Sequence, residues 1–378
     1  MMMNFSATTS AGLLLLASAA AAHGDALLDE AVTFNAAILH LQTDVPGLLL
    51  GALRQGEVAI AGMGETRKGN GIQPDGDTVL RIGSITKVFA GEMLAHAVAR
   101  GEARFTDPVA DLLPGRLAEA AFRHAPITLV DLATHSGGLP REVPREEGPE
   151  NDPFSTITPE AFAQWLEGNE LQFQPGTAIA YSNFGFDLLA AAIETAGKAD
   201  YATLLEQRIT APLDMASTGF EFTGDMQSRL MSGHGPDGEP LTDISSGDVI
   251  VGSGGLRSTA NDLMRWLEWH LGDQRGNDEV RFLDHAVYVQ RDGKTAVLAM
   301  DESGRMDAMG LGWVVMNETA DRPFILQKAG ALHGQMSYIA FAPAHGTAVF
   351  VSINQFDFSA AYAMTEVANN LLSELSGY

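Results

Sequence analysis

The stretch RIGSITKVFAGEML, residues 81–94, sets a serine and a lysine one helical turn apart at the head of an apolar periodic run. On a helix, residues three apart share a face, so the Lys87 amine can reach the Ser84 hydroxyl. A serine hydroxyl is a weak nucleophile at neutral pH and needs a neighbouring base. A lysine serves as that base only where burial or a second cation lowers its pKa. The positive end of the helix adds a favourable field beside the nucleophile. The same residues also fit a plain helix start, with Ser84 as its N-cap. Taken alone, the pair favours the cap.

Two more short motifs bear on the choice. AYSNFGF, residues 180–186, holds Tyr181 and Asn183 two apart, so that in an extended segment both can face one cleft. A phenol among ammonium groups can act as a general base or pass a proton to a leaving group. Asn183 offers a donor and an acceptor to a substrate amide or to a lysine. The motif also reads as a helix start capped by Ser182 or Asn183. The third motif, QKAGALHGQMSYIAFAP (327–343), puts Lys328 on a strand edge, followed by Gly330, whose missing side chain permits close approach to the backbone. The chain has only five lysines, so two in such settings carry more weight than they would in a lysine-rich protein. No G-x-S-x-G occurs, which argues against an α/β-hydrolase nucleophile elbow.

With 378 residues, 46% of them hydrophobic and 19% charged, the chain can bury a large core as one big domain or two interleaved lobes. A net charge of −25 opposes nucleic acid and anionic membrane as partners. Absence of cysteine removes zinc fingers, thiol nucleophiles and disulfides. The ten histidines show no HExxH or similar tight spacing, so neither a metal nor any other cofactor is expected. Residues 1–22 read as a secretory signal: an apolar Ala11–Leu16 stretch runs into Ala20-Ala21-Ala22, too short to span a bilayer. This predicts a periplasmic or secreted protein.

Helical spacing covers 25–42, 85–100, 159–168, 184–196, 200–208 and 359–375, with capping-box registers at Thr128/Asp131 and Thr259/Asp262. Strands are expected on either side of Gln55-Gly56 and at 311–317, 323–328, 336–342 and 347–353. Strands at both ends of the sequence and helices between them predict a mixed α/β (α+β) fold. One sheet is made from 23–80 and 250–378, flanked by helices, and a mostly helical lobe, 81–249, is inserted. Loops 142–159 and 233–248 would border a cleft between the lobes.

Ser-x-x-Lys, Tyr-x-Asn and Lys-x-Gly in this order resemble the serine β-lactamase and penicillin-binding protein superfamily, and Tyr-x-Asn its class C-like branch. HSGGLP (135–140), GSGGLRSTANDLMRW (252–266) and GLGWVV (310–315) are similar as well. GETRKGNGIQPD, ITLVDLATHSGGLPREVP and ILQKAG resemble the AmpH-type D-alanyl-D-alanine carboxypeptidase/endopeptidases.

The resemblance implies an antiparallel sheet and an acyl-enzyme on Ser84. Lys87 would take its proton, Tyr181 would be general acid and base, Asn183 would hold the substrate amide, and Lys328 would supply positive potential. The oxyanion hole would be the backbone N–H groups of Ser84 and Ala331. Two departures stand out: Ala329 replaces the usual hydroxyl residue that binds a substrate carboxylate, and His333 interrupts a normally glycine-rich stretch. His333 is either a substitute donor to substrate or a solvated loop residue. The implied activity is a penicillin-binding D,D-peptidase on peptidoglycan peptides with weak β-lactam hydrolysis. A β-lactamase-like carboxylesterase and a penicillin-binding sensor without turnover are the alternatives.

Overall fold

The computed structural model describes residues 25–221, 223–245, 250–272 and 278–378; the secretory signal expected at 1–22 lies outside them. Eight strands form one sheet: β1 (Gly47–Arg54), β2 (Glu57–Gly64), β3 (Val289–Gln290), β4 (Ala308–Met309), β5 (Val314–Met316), β6 (Ile325–Leu332), β7 (Gln335–Ala342) and β8 (Thr347–Ile353). Their spatial order is β2-β1-β8-β7-β6-β5-β4-β3, every neighbouring pair antiparallel, so the two ends of the sequence meet where β1 pairs with β8. Expected strand 311–317 shrinks to β5 because Gly310–Trp313 turn, with Gly312 at φ 79°. Expected strand 323–328 lengthens through Leu332.

Side-chain alternation explains how the sheet is covered. Leu48, Leu50 and Ala52 of β1, Tyr338 and Ala340 of β7, and Val349 and Val351 of β8 face one side. There they pack against helices α1 (Ala26–Thr43) and α6 (Phe358–Leu375). Leu49, Leu53, Ile339, Phe341, Ala348 and Phe350 face the other side and join the larger core. That core includes α2 (Thr86–Ala99), α3 (Asn183–Gly197), α4 (Ala260–Leu271) and α5 (Asp278–His285). Removing each such Leu or Phe side chain from water contributes about 1.5–3 kcal/mol. A π-turn at Glu206–Thr210 ends the helix expected at 200–208, which is α-helical only over Tyr201–Leu205. Short strands Val79–Arg81 and Arg257–Thr259 pair outside the main sheet.

α2 is buried nearly all round, from Thr86 to Ala97. Its Gly91 lies so close to the turn before β5 that an added Cβ would sit 2.0 Å from the Leu311 carbonyl oxygen. Backbone contact on that scale fixes the helix, and the residues at its head, against the sheet.

Candidate active site

Ser84 sits in a 3₁₀ turn, Gly83–Ile85, that runs into α2. Its side chain does not cap the helix: the N-cap position is Ile85, and the Thr86 hydroxyl donates instead to the Gly83 carbonyl at 2.7 Å. The Ser84 hydroxyl is thus left for other partners. Gly83 has φ +51°, a left-handed conformation that suits glycine.

β6 pairs with β7 along its length but with β5 only at Ile325–Gln327, so from Lys328 onward its second edge faces this turn. A Cβ on Gly330 would lie 2.0 Å from the Ile82 carbonyl oxygen and 3.1 Å from the Ser84 nitrogen. A Cβ on Gly83 would lie 2.7 Å from the Ala331 nitrogen. The close approach expected at Gly330 is therefore made by the chain itself. It sets the Ser84 and Ala331 peptides side by side.

Two polar side chains meet at Ser84 Oγ. The Tyr181 hydroxyl donates to Ser84 Oγ at 2.6 Å, and Lys87 Nζ donates to it at 3.3 Å. Lys87 Nζ also donates to Asn183 Oδ1 and to the Ser253 carbonyl, each at 2.6 Å. Tyr181 follows the two-residue strand Ile179–Ala180, and Ser182 then caps α3 through the Gly185 N–H at 2.9 Å, so a strand end and a helix start aim Tyr181 and Asn183 together. Lys87 Nζ and Lys328 Nζ stand 4.9 and 4.8 Å from the Tyr181 ring centroid, and the Arg141 guanidinium stands 4.7 Å from it.

Lys87 is fully buried, and burial pushes its pKa down to about 7 against the opposing pull of Asp187 and Glu142. Burial also lowers Lys328, with Lys87 and Arg141 acting the same way and Tyr181 and Glu302 against it. Lys328 is thus no exposed strand lysine; it lines a cleft of about 250 Å³ with Ser84, Tyr181, Arg141, Ala329 and Ala331. A larger surface groove, about 590 Å³ along Ala202–Met226, contains none of these residues.

Asn183 spends both ends of its amide on the protein: the oxygen accepts from Lys87 and the nitrogen donates to Glu142. His333 takes neither role expected of it. It sits in the turn between β6 and β7 with φ 48°, half-buried, and its Nε2 pairs with the Thr242 carbonyl at 2.6 Å, outside the cleft lining. Thr242 belongs to the expected 233–248 loop, none of whose described residues lines the cleft.

Sequence reading missed three neighbours. His135 stacks on Tyr181 with ring centroids 4.6 Å apart and accepts the Ser182 N–H on Nδ1 at 3.0 Å. Burial, reinforced by Lys328, Lys87 and Arg141, holds it well below the usual histidine range, so it stays neutral. Asp187, on the buried side of α3, accepts from Ser253 Oγ at 3.0 Å and is raised well above the usual carboxylate range by burial. Arg141 brackets the phenol from the loop side. A carboxylate inside the apolar run FGFDLLAAA was the one available signal for Asp187.

A hydroxyl, an amine of lowered pKa and a phenol converging on one oxygen define the serine hydrolases that activate their nucleophile with lysine and tyrosine. Comparison with known proteins agrees. The Beta-lactamase family matches residues 24–371, and the chain belongs to that family. It is a hydrolase of the beta-lactamase type. The D-alanyl-D-alanine-carboxypeptidase/endopeptidase AmpH of Escherichia coli K12 is 37% identical over 321 residues, 83% of this chain and 80% of that one. Penicillin-binding protein 4 of Amycolatopsis lactamdurans is 25% identical over 354 residues, 90% and 88% of the two chains. A crystal structure of the beta-lactamase/D-alanine carboxypeptidase of Yersinia pestis with citrate superposes with a TM-score of 0.81 at 33% identity, covering 92% of this chain and 98% of that one. No helix among the described residues is long and apolar enough to cross a membrane.

Proposed function

We propose that the chain is an exported penicillin-binding D,D-carboxypeptidase/endopeptidase that cleaves peptidoglycan peptides through an acyl-enzyme on Ser84. The observation that carries this reading is the convergence of Lys87 Nζ and the Tyr181 hydroxyl on Ser84 Oγ. Likeness to AmpH supplies the substrate class.

With a pKa near 7, Lys87 is neutral in a large fraction of molecules at neutral pH and takes the serine proton as Oγ attacks the scissile carbonyl. The C–N bond then breaks, Tyr181 gives its proton to the leaving nitrogen, and the proton on Lys87 returns to the phenolate. In deacylation the phenol first hands its proton back to Lys87 and, as phenolate, takes one from the water that attacks the ester; that proton goes to Ser84 Oγ as the C–O bond breaks. The Ser84 and Ala331 N–H groups would hold the oxyanion, and losing one such donor costs about 3–4 kcal/mol of transition-state stabilisation. Asn183 holds the Lys87 amine on Ser84 rather than binding substrate. Lys328 and Arg141 provide positive potential for the phenol and for a substrate carboxylate.

A carboxylesterase reading is favoured by one feature. Ala329 and an apolar wall of Met336, Phe358, Tyr362 and Met364 line the cleft where a carboxylate clamp would otherwise stand. Wild type and Ser84→Ala are compared on a fluorescent penicillin, a D-Ala-D-Ala peptide and a p-nitrophenyl ester. The expected result is labelling and D-alanine release, both lost in the variant. Ester turnover without D-alanine release would replace the peptidase with the esterase, and labelling without any turnover would leave a sensor.

A further inference from the structure

A second buried polar cluster lies behind the nucleophile helix and takes no part in the chemistry above. Among the described residues, His270 at the end of α4 and Asp284 and His285 at the end of α5 bring their ligand atoms within 4.8 Å of one another. His270 Nδ1 stands 2.8 Å from His285 Nε2 and 3.8 Å from Asp284 Oδ2. The side chains of His270 and Asp284 are wholly buried. Each keeps an atom without a hydrogen-bond partner, Nε2 of His270 and Oδ1 of Asp284. An unmet polar atom in the interior costs about 1–3 kcal/mol; of these two, Asp284 Oδ1 is the one open to a ligand, since His270 Nε2 faces Glu92.

We propose that His270, Asp284 and His285 form a binding site for one zinc ion. Tetrahedral zinc with bonds near 2.0–2.1 Å sets its ligand atoms about 3.3 Å apart, which the observed 2.8 and 3.8 Å separations straddle. Two imidazoles and a carboxylate are a donor set that zinc takes, with a fourth position left open.

The surroundings complete the arrangement. With Nδ1 on the metal, Nε2 of His270 carries the ring proton and points at Glu92 Oε2, 3.9 Å away. A carboxylate behind a ligating histidine fixes its tautomer and strengthens it as a ligand. Glu92 is itself held by the Trp266 indole N–H at 2.7 Å, and Asp284 by the Trp313 indole N–H at 2.8 Å. Rings of Trp266, Trp313 and Phe341 pack around His270 and keep the site dry. The ion would clip α4 to α5 behind α2 and so act on stability; no reacting atom is near it.

The test uses untagged protein stripped with a chelator, reloaded with zinc, dialysed and measured by elemental analysis. About one zinc per chain is expected, with a thermal midpoint that climbs as free zinc rises. In His285→Gln, whose altered side chain is the partly exposed member, retained zinc should fall at least about tenfold. Cobalt(II) in the wild-type protein should give the intense visible absorption of a tetrahedral site, a readout that needs no variant. Wild-type protein that keeps no zinc and shows no thermal shift would overturn the proposal. So would zinc retained equally by folded His285→Gln, which would assign the metal to the acidic surface.

Discussion

Two buried ionisable clusters share helix α2 and treat their charges in opposite ways. At its head, Lys87 is enclosed by three acceptors, Ser84 Oγ, Asn183 Oδ1 and the Ser253 carbonyl. Behind its middle, Glu92 leads to His270, Asp284 and His285, where polar atoms stand buried and unmet. Burial raises Asp284 well above the usual carboxylate range, with Glu92 adding to the effect. It also lowers Lys87 to about 7. The front cluster surrounds its buried cation with acceptors that keep it placed while its proton comes and goes, although His135 Nε2 and Asp187 Oδ1 beside it also lack hydrogen-bond partners. The rear cluster of His270, Asp284 and His285 holds no such cation and is the metal site proposed above. One physical force, loss of water from an ionisable group, thus lowers an amine in one place and raises a carboxyl in the other.

The sharpest way to break this contrast is to remove one member from each side. Lys87→Met should lower kcat/KM for penicillin acylation by about 10³-fold or more. Its thermal midpoint should change little, because relief of a costly buried cation offsets the donor lost to Asn183 and Ser253. Trp266→Phe, which strips the indole donor from Glu92, should do the reverse: a loss of about 1–3 kcal/mol in stability with much the smaller effect on rate. A Lys87→Met protein that melts early and still acylates would erase the distinction between the clusters.

Next in size is the pH dependence. The active form of Lys87 is the neutral amine, so kcat/KM should rise with pH through about 7 and fall about tenfold per unit below it. Stopped-flow acylation across pH 5 to 9 measures the limb; a flat profile would take the base role from Lys87. The smallest effect asks whether the front cluster's positive field has a carboxylate to act on. Ala329→Thr should raise turnover of carboxylate-bearing substrates by about tenfold or less while neutral esters change little. Equal responses would show that position 329 does not read the carboxylate.

Legibility in the sequence followed the range of the contacts. Ser84 with Lys87, and Tyr181 with Asn183, are local pairs whose spacing is itself the signal, and strands β1, β7 and β8 show as short apolar runs. The two-residue strands β3 and β4 carry no such period and are held by their neighbours in the sheet. His135 and Asp187 become members of the site only through folding, which stacks one on Tyr181 and sets the other beside Ser253. Nothing local in the sequence marks the contact of His333, whose partner Thr242 is 91 residues away. The meeting of His270 with His285 is illegible for a like reason: they lie at the ends of two separate helices, a spacing that no short pattern records.

Gly83 and Gly330 bring main chain against main chain where β6 meets the nucleophile turn. A reference point made of peptide atoms is common to every amino acid and does not drift when side chains are exchanged. Evolution can therefore repaint the exterior, even to a net charge of −25, without recalibrating the position of the attacking oxygen. A single methyl group at either glycine would pry that joint open, whatever was conserved around it.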